Sequence, residues 1–169
     1  MRRARERVGY RDLATDPERV AFARPGMAAT LNGIAQGYVT DRVADLLRAA
    51  GMEHVLLDLG ETRALGRRPD GSPWHVGLED PQHPGQVRRV LDIDDRAVAT
   101  SGAYGFRFDT AGRFHHLFDP TSGRSLSRHA SVSVVAPDAT TADALATAFT
   151  LLPVEAIDRV LARRPGVEA

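Results

Sequence analysis

TLNGIAQGYVTDRVADLLRAAG, residues 30–51, is the stretch on which the fold turns. Ala35, Val39, Val43, Leu46, Leu47 and Ala50 recur at helical spacing. Asp41, Arg42, Asp45 and Arg48 fall mostly on the other side, which predicts an amphipathic helix over 32–50. Gly51 sits just past the last periodic residue, where helices commonly stop. At the front, Asn32 is placed to be the N-cap, its side-chain oxygen accepting a first-turn amide. Gly33 and Gly37 have no side chain, so a ligand can come close to the backbone. A capped, glycine-opened helix start turns free N–H groups and the positive end of the helix dipole toward an anion.

Outward from this helix the pattern changes to short apolar runs bounded by turn residues. Strands are expected at 54–59, 63–65, 74–78, 89–93, 97–100, 104–108, 114–118 and 130–136. In the last of these, Val132 and Val134 point one way and Ser131, Ser133 and Val135 the other. Ahead of the helix, 8–13 and 19–23 read as two short strands, followed by the turn Ala23-Arg24-Pro25-Gly26. A second helix begins at Thr140 or Thr141, either of which could cap it, and Pro153 interrupts it. A third runs over 154–163 and ends at Pro165-Gly166. One helix, many strands and two closing helices give an α+β fold, a mostly antiparallel sheet packed with helices, in one domain over 1–169.

Bulk properties exclude several classes. Arg plus Lys equals Asp plus Glu at 22 each, so formal net charge is zero, and every one of the cations is arginine. Nucleic acid is therefore not an expected partner, since it needs a basic face. With no cysteine, the chain has no disulfides and no thiolate metal site or nucleophile. No run approaches the roughly 18 apolar residues of a membrane helix. No apolar segment follows the N-terminal arginines, so no signal peptide is visible and, taken literally, the product stays in the cytoplasm.

Three groups of residues could carry chemistry. Asp143 and Thr147 lie four apart on the second helix and so share a face. Both offer hard oxygens, suited to Mg²⁺ or Ca²⁺ and poorly suited to zinc. A set this small matches Mg²⁺, which completes its shell with water and phosphate oxygens. In His115-His116-Leu117-Phe118-Asp119-Pro120, adjacent strand residues face opposite ways. One histidine should then face the sheet and the other a cleft, where a histidine near Asp119 could be an oriented general base. Ala99 to Tyr104 is a strand followed by a small-residue turn, read as a close backbone approach near a ligand rather than a nucleophile motif, since no G-x-S-x-G elbow surrounds Ser101. Trp74 reads as a core aromatic, and Asp58, inside an apolar strand, as structural.

The ordered motifs TLNGIAQGYVTD, VLLDLGE, PWHVGLEDP, AVATSGAY, HHLFDPTSGRS and SVSVVAPDATTADALATAF, spanning about Met27 to Leu152, together resemble the FAD:protein FMN transferases of the ApbE family. The resemblance implies a T-fold-like core and an enzyme that uses FAD and Mg²⁺. Such an enzyme attaches FMN through a phosphoester to a Ser or Thr hydroxyl of a target flavoprotein and releases AMP. Matched by motif, it implies a magnesium site at the Gly33 carbonyl, Asp143 and Thr147. It implies FAD contacts at Thr30, Asn32, Gln36, His115 and His116, and His116 with Asp119 as the catalytic pair. Family members are usually much longer, so this sequence looks like the carboxyl-terminal part of a transferase. Members are often periplasmic or membrane-anchored, which makes a membrane-associated acceptor one expectation. Two other readings stand beside transfer: a non-catalytic remnant or FAD-binding module, and an FAD pyrophosphatase with water as acceptor.

Overall fold

The computed structural model describes residues 2–83 and 85–169. A one-turn helix, α1 (Arg2–Arg5), leads through a 3-10 turn (Tyr10–Asp12) into the hairpin β1 (Leu13–Thr15) and β2 (Val20–Phe22). The long helix α2 (Ala35–Ala49) follows, then β3 (Val55–Asp58), β4 (Thr62–Leu65), β5 (Trp74–Glu79), β6 (Val87–Ile93), β7 (Ala97–Gly102) and β8 (Ser131–Ala136). Two helices close the chain, α3 (Ala139–Phe149) and α4 (Val154–Leu161). Among the described residues, no helix is long and apolar enough to cross a membrane.

The central sheet has the order β3-β4-β7-β8 and is antiparallel throughout. Its two faces are built by strand alternation. Val132, Val134 and Ala136 of β8, with Ala97 and Ala99 of β7, point to α3 and α4 and form a buried cluster with Ala142, Ala146, Phe149 and Ile157. Ala64, Val98 and Val135 point the other way, toward Ile93, Trp74 and Leu91 of the separate β5-β6 hairpin. The expected inward set of β8 is therefore correct, and the fold is α+β and antiparallel as read. Small residues dominate the helix-facing side, so α3 lies close to β7 and β8, where bulkier side chains would hold it off.

Two expected strands are absent. Residues 104–108 and 114–118 make only isolated bridges, Arg107 with His115 and Phe118 with Ser125. Phe106, Phe108, Phe114 and Phe118 in this region are exposed, the first three by more than half. Apolar alternation alone suggested strands here, but no neighbouring sheet pairs with the segment. The total accessible surface is 11324 Å², against about 8,000 Å² for a compact monomer of this mass. The β1-β2 hairpin, β6 and the phenylalanine loop contribute to the excess with exposed Phe22, Val87 and Phe106.

The start of α2 also differs from expectation. Asn32 does not cap it: helix geometry begins at Ala35, and the Leu31 carbonyl accepts the Ile34 and Ala35 amides. The side-chain cap comes from far away in sequence. The Gly37 N–H donates to Asp143 Oδ2 at 2.9 Å, in a buried contact. The relation is reciprocal. Asp41 of α2 accepts from the Ala139 and Thr140 amides, both at 2.8 Å, at the start of α3. Asp138, not Thr140 or Thr141, is the local N-cap of α3, and the Thr140 hydroxyl turns to Asp41 instead. Arg63 of β4, buried, reaches Asp41 at 3.7 Å and ties the pair of helices to the sheet.

Gly37 serves this crossing rather than a ligand. A Cβ there would lie 2.3 Å from the Ala139 carbonyl oxygen and 2.8 Å from Asp143 Cβ. Gly37→Ala gains about 1 kcal/mol of helix propensity but meets rigid backbone. We expect net destabilisation of about 1–3 kcal/mol, read as a lower urea midpoint. An unchanged or raised midpoint would show that the helices are not in close contact.

Candidate active site

The crossing of α2 and α3 opens onto a cleft of about 530 Å³, within the size range of small-molecule sites. Its walls come from five places. The approach to α2 contributes Thr30, Asn32 and Gly33, and its first turn Gln36. The turn after β3 contributes Glu61, and the end of β7 contributes Thr100, Ser101 and Gly102, with Tyr104 just beyond. The loop before β8 brings His116, Leu117, Phe118 and Leu126, and α3 brings Asp143 and Thr147.

The cation-side residues predicted from sequence lie together. An ideal Cβ on Gly33 would sit 3.4 Å from Thr147 Cγ2 and 3.7 Å from Thr147 Oγ1, so the glycine's backbone lies directly against Thr147. Thr147 Oγ1 is 3.1 Å from Ser101 Oγ. Asp143, buried, is held by the Gly37 amide through one oxygen. These are all oxygen donors, hard and few, as a magnesium site requires. No group of three or more His, Cys, Asp or Glu converges among the described residues, so a cation here would draw on neutral oxygens as well as carboxylate.

The FAD-side residues divide. Thr30, Asn32 and Gln36 line the cleft. Gln36 lies over Gly60, where any Cβ would overlap it, and its Nε2 donates to the Leu59 carbonyl at 3.3 Å. The two histidines do face opposite ways. His116 lines the cleft and is exposed. His115 is buried, at 3% exposure, and does not line it. The His115 Nδ1 accepts from the Leu117 amide and its Nε2 donates to the Leu126 carbonyl, so both ring nitrogens are used in holding the loop. The FAD contact expected of His115 is thus corrected to a structural one, because neither nitrogen is left to offer.

The expected pairing of His116 with Asp119 is also corrected. Asp119 accepts from the Thr121 and Ser122 amides at 2.9 and 3.1 Å and closes its own turn. Those bonds to Ser122 and Thr121 hold its carboxyl below the usual carboxylate range. It faces a different hollow, beside Arg124 and Arg128. What orients His116 is the Phe106 carbonyl, 3.2 Å from Nδ1. A carbonyl only accepts, so in the neutral ring Nδ1 carries the proton and Nε2 keeps its lone pair. The small-residue turn at Ser101-Gly102 admits a neighbour as read, but the neighbour is a side chain: a Cβ on Gly102 would lie 2.4 Å from the Tyr104 ring. Asp58 lies at an exposed strand end, and Trp74 is a partly buried aromatic whose indole donates to the Gly66 carbonyl.

Glu61, between the strands expected at 54–59 and 63–65, has no role in the sequence reading. The side chain is buried against the cleft, and its Oε2 is the one buried side-chain polar atom without a hydrogen-bond partner among the described residues. Burial, with the negative charges of Asp143 and Asp58, pushes its carboxyl up to about 7. No local signal marks it, since its surroundings are brought together by tertiary contacts, among them the packing of α2 against β4.

Comparison with known proteins shows the family and the fold. The whole chain, residues 1–169, matches the model of the ApbE family. The chain belongs to the ApbE family. Among curated ApbE-type relatives, the FAD:protein FMN transferase of Treponema pallidum is 38% identical over 165 residues, covering 90% of this chain and 46% of the relative. The crystal structure of the ApbE protein from Thermotoga maritima superposes with a TM-score of 0.84 at 32% identity, covering 95% of this chain and 53% of that one. The flavin transferase ApbE of Vibrio cholerae gives a TM-score of 0.77 at 34% identity, covering 89% and 48%. The chain therefore spans about half the length of the ApbE proteins it matches.

Glu61 makes a pH signature. Its folded pKa is about 7 against an ordinary 4.5, so between those values the folded chain binds more protons than the unfolded one. That term makes stability fall as pH rises across the window. In metal-free buffer, Glu61→Gln should melt higher than the parent chain by a margin that widens between about pH 5 and pH 8. A margin independent of pH would contradict the assignment.

Proposed function

We propose that this chain carries the phosphate-side and base-side residues of an FAD:protein FMN transferase, moving FMN from FAD to a Ser or Thr hydroxyl of an acceptor flavoprotein. The observation that carries the proposal is the meeting, in one cleft, of the oxygen set Gly33, Asp143 and Thr147 with a histidine whose Nε2 has no hydrogen-bond partner among the described residues. The names of the curated relatives support it.

The residues divide the work. Gly33, through its carbonyl, Asp143 and Thr147 would hold Mg²⁺, which when bound neutralises pyrophosphate charge and so lowers the barrier to breaking that linkage. Asp143 is fixed for this by the Gly37 amide, and Ser101 can take the Thr147 hydroxyl proton, which leaves the threonine's lone pairs for the cleft. Thr30, Asn32 and Gln36 line the same cleft and would contact the dinucleotide. His116 Nε2 accepts the proton of the acceptor hydroxyl as its oxygen attacks the FMN-side phosphorus. The bond from that phosphorus to the bridging oxygen breaks, and AMP leaves with the bridging oxygen. Donation from Nδ1 to the Phe106 carbonyl fixes the tautomer and favours the imidazolium that results. Asp119 contributes by closing the turn beyond His116, not by touching the reacting atoms.

The test mixes the chain with FAD, Mg²⁺ and an acceptor domain and looks for flavin fluorescence on the acceptor in a denaturing gel. Transfer labels the acceptor and yields AMP. Free FMN plus AMP without label points to hydrolysis, and no FAD binding at all points to a non-catalytic module. His116→Ala should lower the single-turnover transfer rate by about 10²–10⁴ while FAD binding persists. An unchanged rate would remove His116 from the reaction.

A further inference from the structure

We propose that Glu61 is a further protein ligand of the divalent cation in this cleft, a second carboxylate beside Asp143. The inference rests on the proposed function for the presence of that cation. It goes beyond it in adding a residue from β4's approach to a set otherwise drawn from α2 and α3.

Three observations carry it. Glu61 lines the same cleft as Gly33, Asp143 and Thr147. It is more than nine-tenths buried, and its Oε2 has neither solvent nor a hydrogen-bond partner among the described residues. Buried carboxylates are otherwise hydrogen-bonded or paired, and an unmet one is costly, so this oxygen calls for a partner from outside the chain.

Arg63, a buried arginine among the described residues, does not supply it. Arg63, two residues on, points to Asp41 at 3.7 Å and donates to the Ala64 carbonyl. The charges that do bear on Glu61 are those of Asp143 and Asp58, both negative. A position where two buried carboxyl groups repel, one of them with a bare oxygen, is relieved by a small divalent ion and by little else of that size. Asp143, already accepting from Gly37, supplies an anchored carboxylate. Glu61 supplies the charge that a single aspartate, a hydroxyl and a carbonyl lack for firm Mg²⁺ retention.

The probe is Mn²⁺ in place of Mg²⁺, followed by electron paramagnetic resonance in titrations of the 169-residue chain without FAD, with Mg²⁺ as competitor. The parent chain should bind one Mn²⁺ that Mg²⁺ displaces. Glu61→Gln, isosteric and neutral, should keep its circular dichroism and weaken Mn²⁺ binding by about tenfold or more. Glu61→Asp, which shortens the arm but keeps the charge, should fall between the two and serves if the glutamine variant does not fold. Equal Mn²⁺ affinity in the parent and both variants overturns the ligand assignment while leaving the cation site at Asp143 and Thr147 standing. Absence of Mn²⁺ binding by the parent chain overturns the assignment and the magnesium part of the proposed function together.

Discussion

Two aspartates each hold the start of the helix that carries the other. Asp143 of α3 accepts the Gly37 amide near the start of α2, and Asp41 of α2 accepts the Ala139 and Thr140 amides at the start of α3. A carboxylate at a helix N-terminus is worth about 0.3–1 kcal/mol when exposed and up to about 2 kcal/mol when partly buried. The Asp143 contact is buried and the Asp41 contacts are partly buried, and Arg63 balances the Asp41 charge at 3.7 Å. The glycine at position 37 permits the close approach that makes the exchange possible. Remove the crossing, and Gly33 no longer lies against Thr147, nor does the cleft have a floor.

The same exchange explains why one part of the site was legible and another was not. Helix α2 was readable from its own periodicity, and the pairing of Asp143 with Thr147 from helix spacing alone. The cap of α2 was not, because its acceptor comes from 106 residues away while Asn32 satisfies every local rule for a cap. His115 and His116 were correctly separated by alternation. Their roles depended on contacts that alternation does not encode, the Leu126 carbonyl for one and the Phe106 carbonyl for the other. Asp119 looked like a partner for His116 because it is near in sequence. Its carboxylate is instead taken by the two amides that follow it, the ordinary fate of an Asp at the head of a turn.

Asp143 and Glu61 meet different partners in one cleft. Asp143 accepts a backbone N–H from Gly37. Glu61 has no such donor at Oε2 and feels two negative neighbours, so its proton is held to about pH 7. Helix spacing singled out Asp143 beside Thr147 in the sequence, while nothing local marks Glu61. The difference lies in what the tertiary fold places next to each oxygen. His116, which lines the same cleft, adds an exposed ring to the set.

Central to this account is that the cleft binds FAD through a divalent cation anchored on Asp143. The most direct measurement is the Mg²⁺ dependence of FAD binding by the chain, followed by flavin fluorescence anisotropy, for the parent and for Asp143→Asn. The account predicts tight binding by the parent with Mg²⁺ and weak binding with chelator. Asp143→Asn, which can still accept from the Gly37 amide, should bind weakly in both. Equal FAD affinity with Mg²⁺ and with chelator in the parent chain would contradict it.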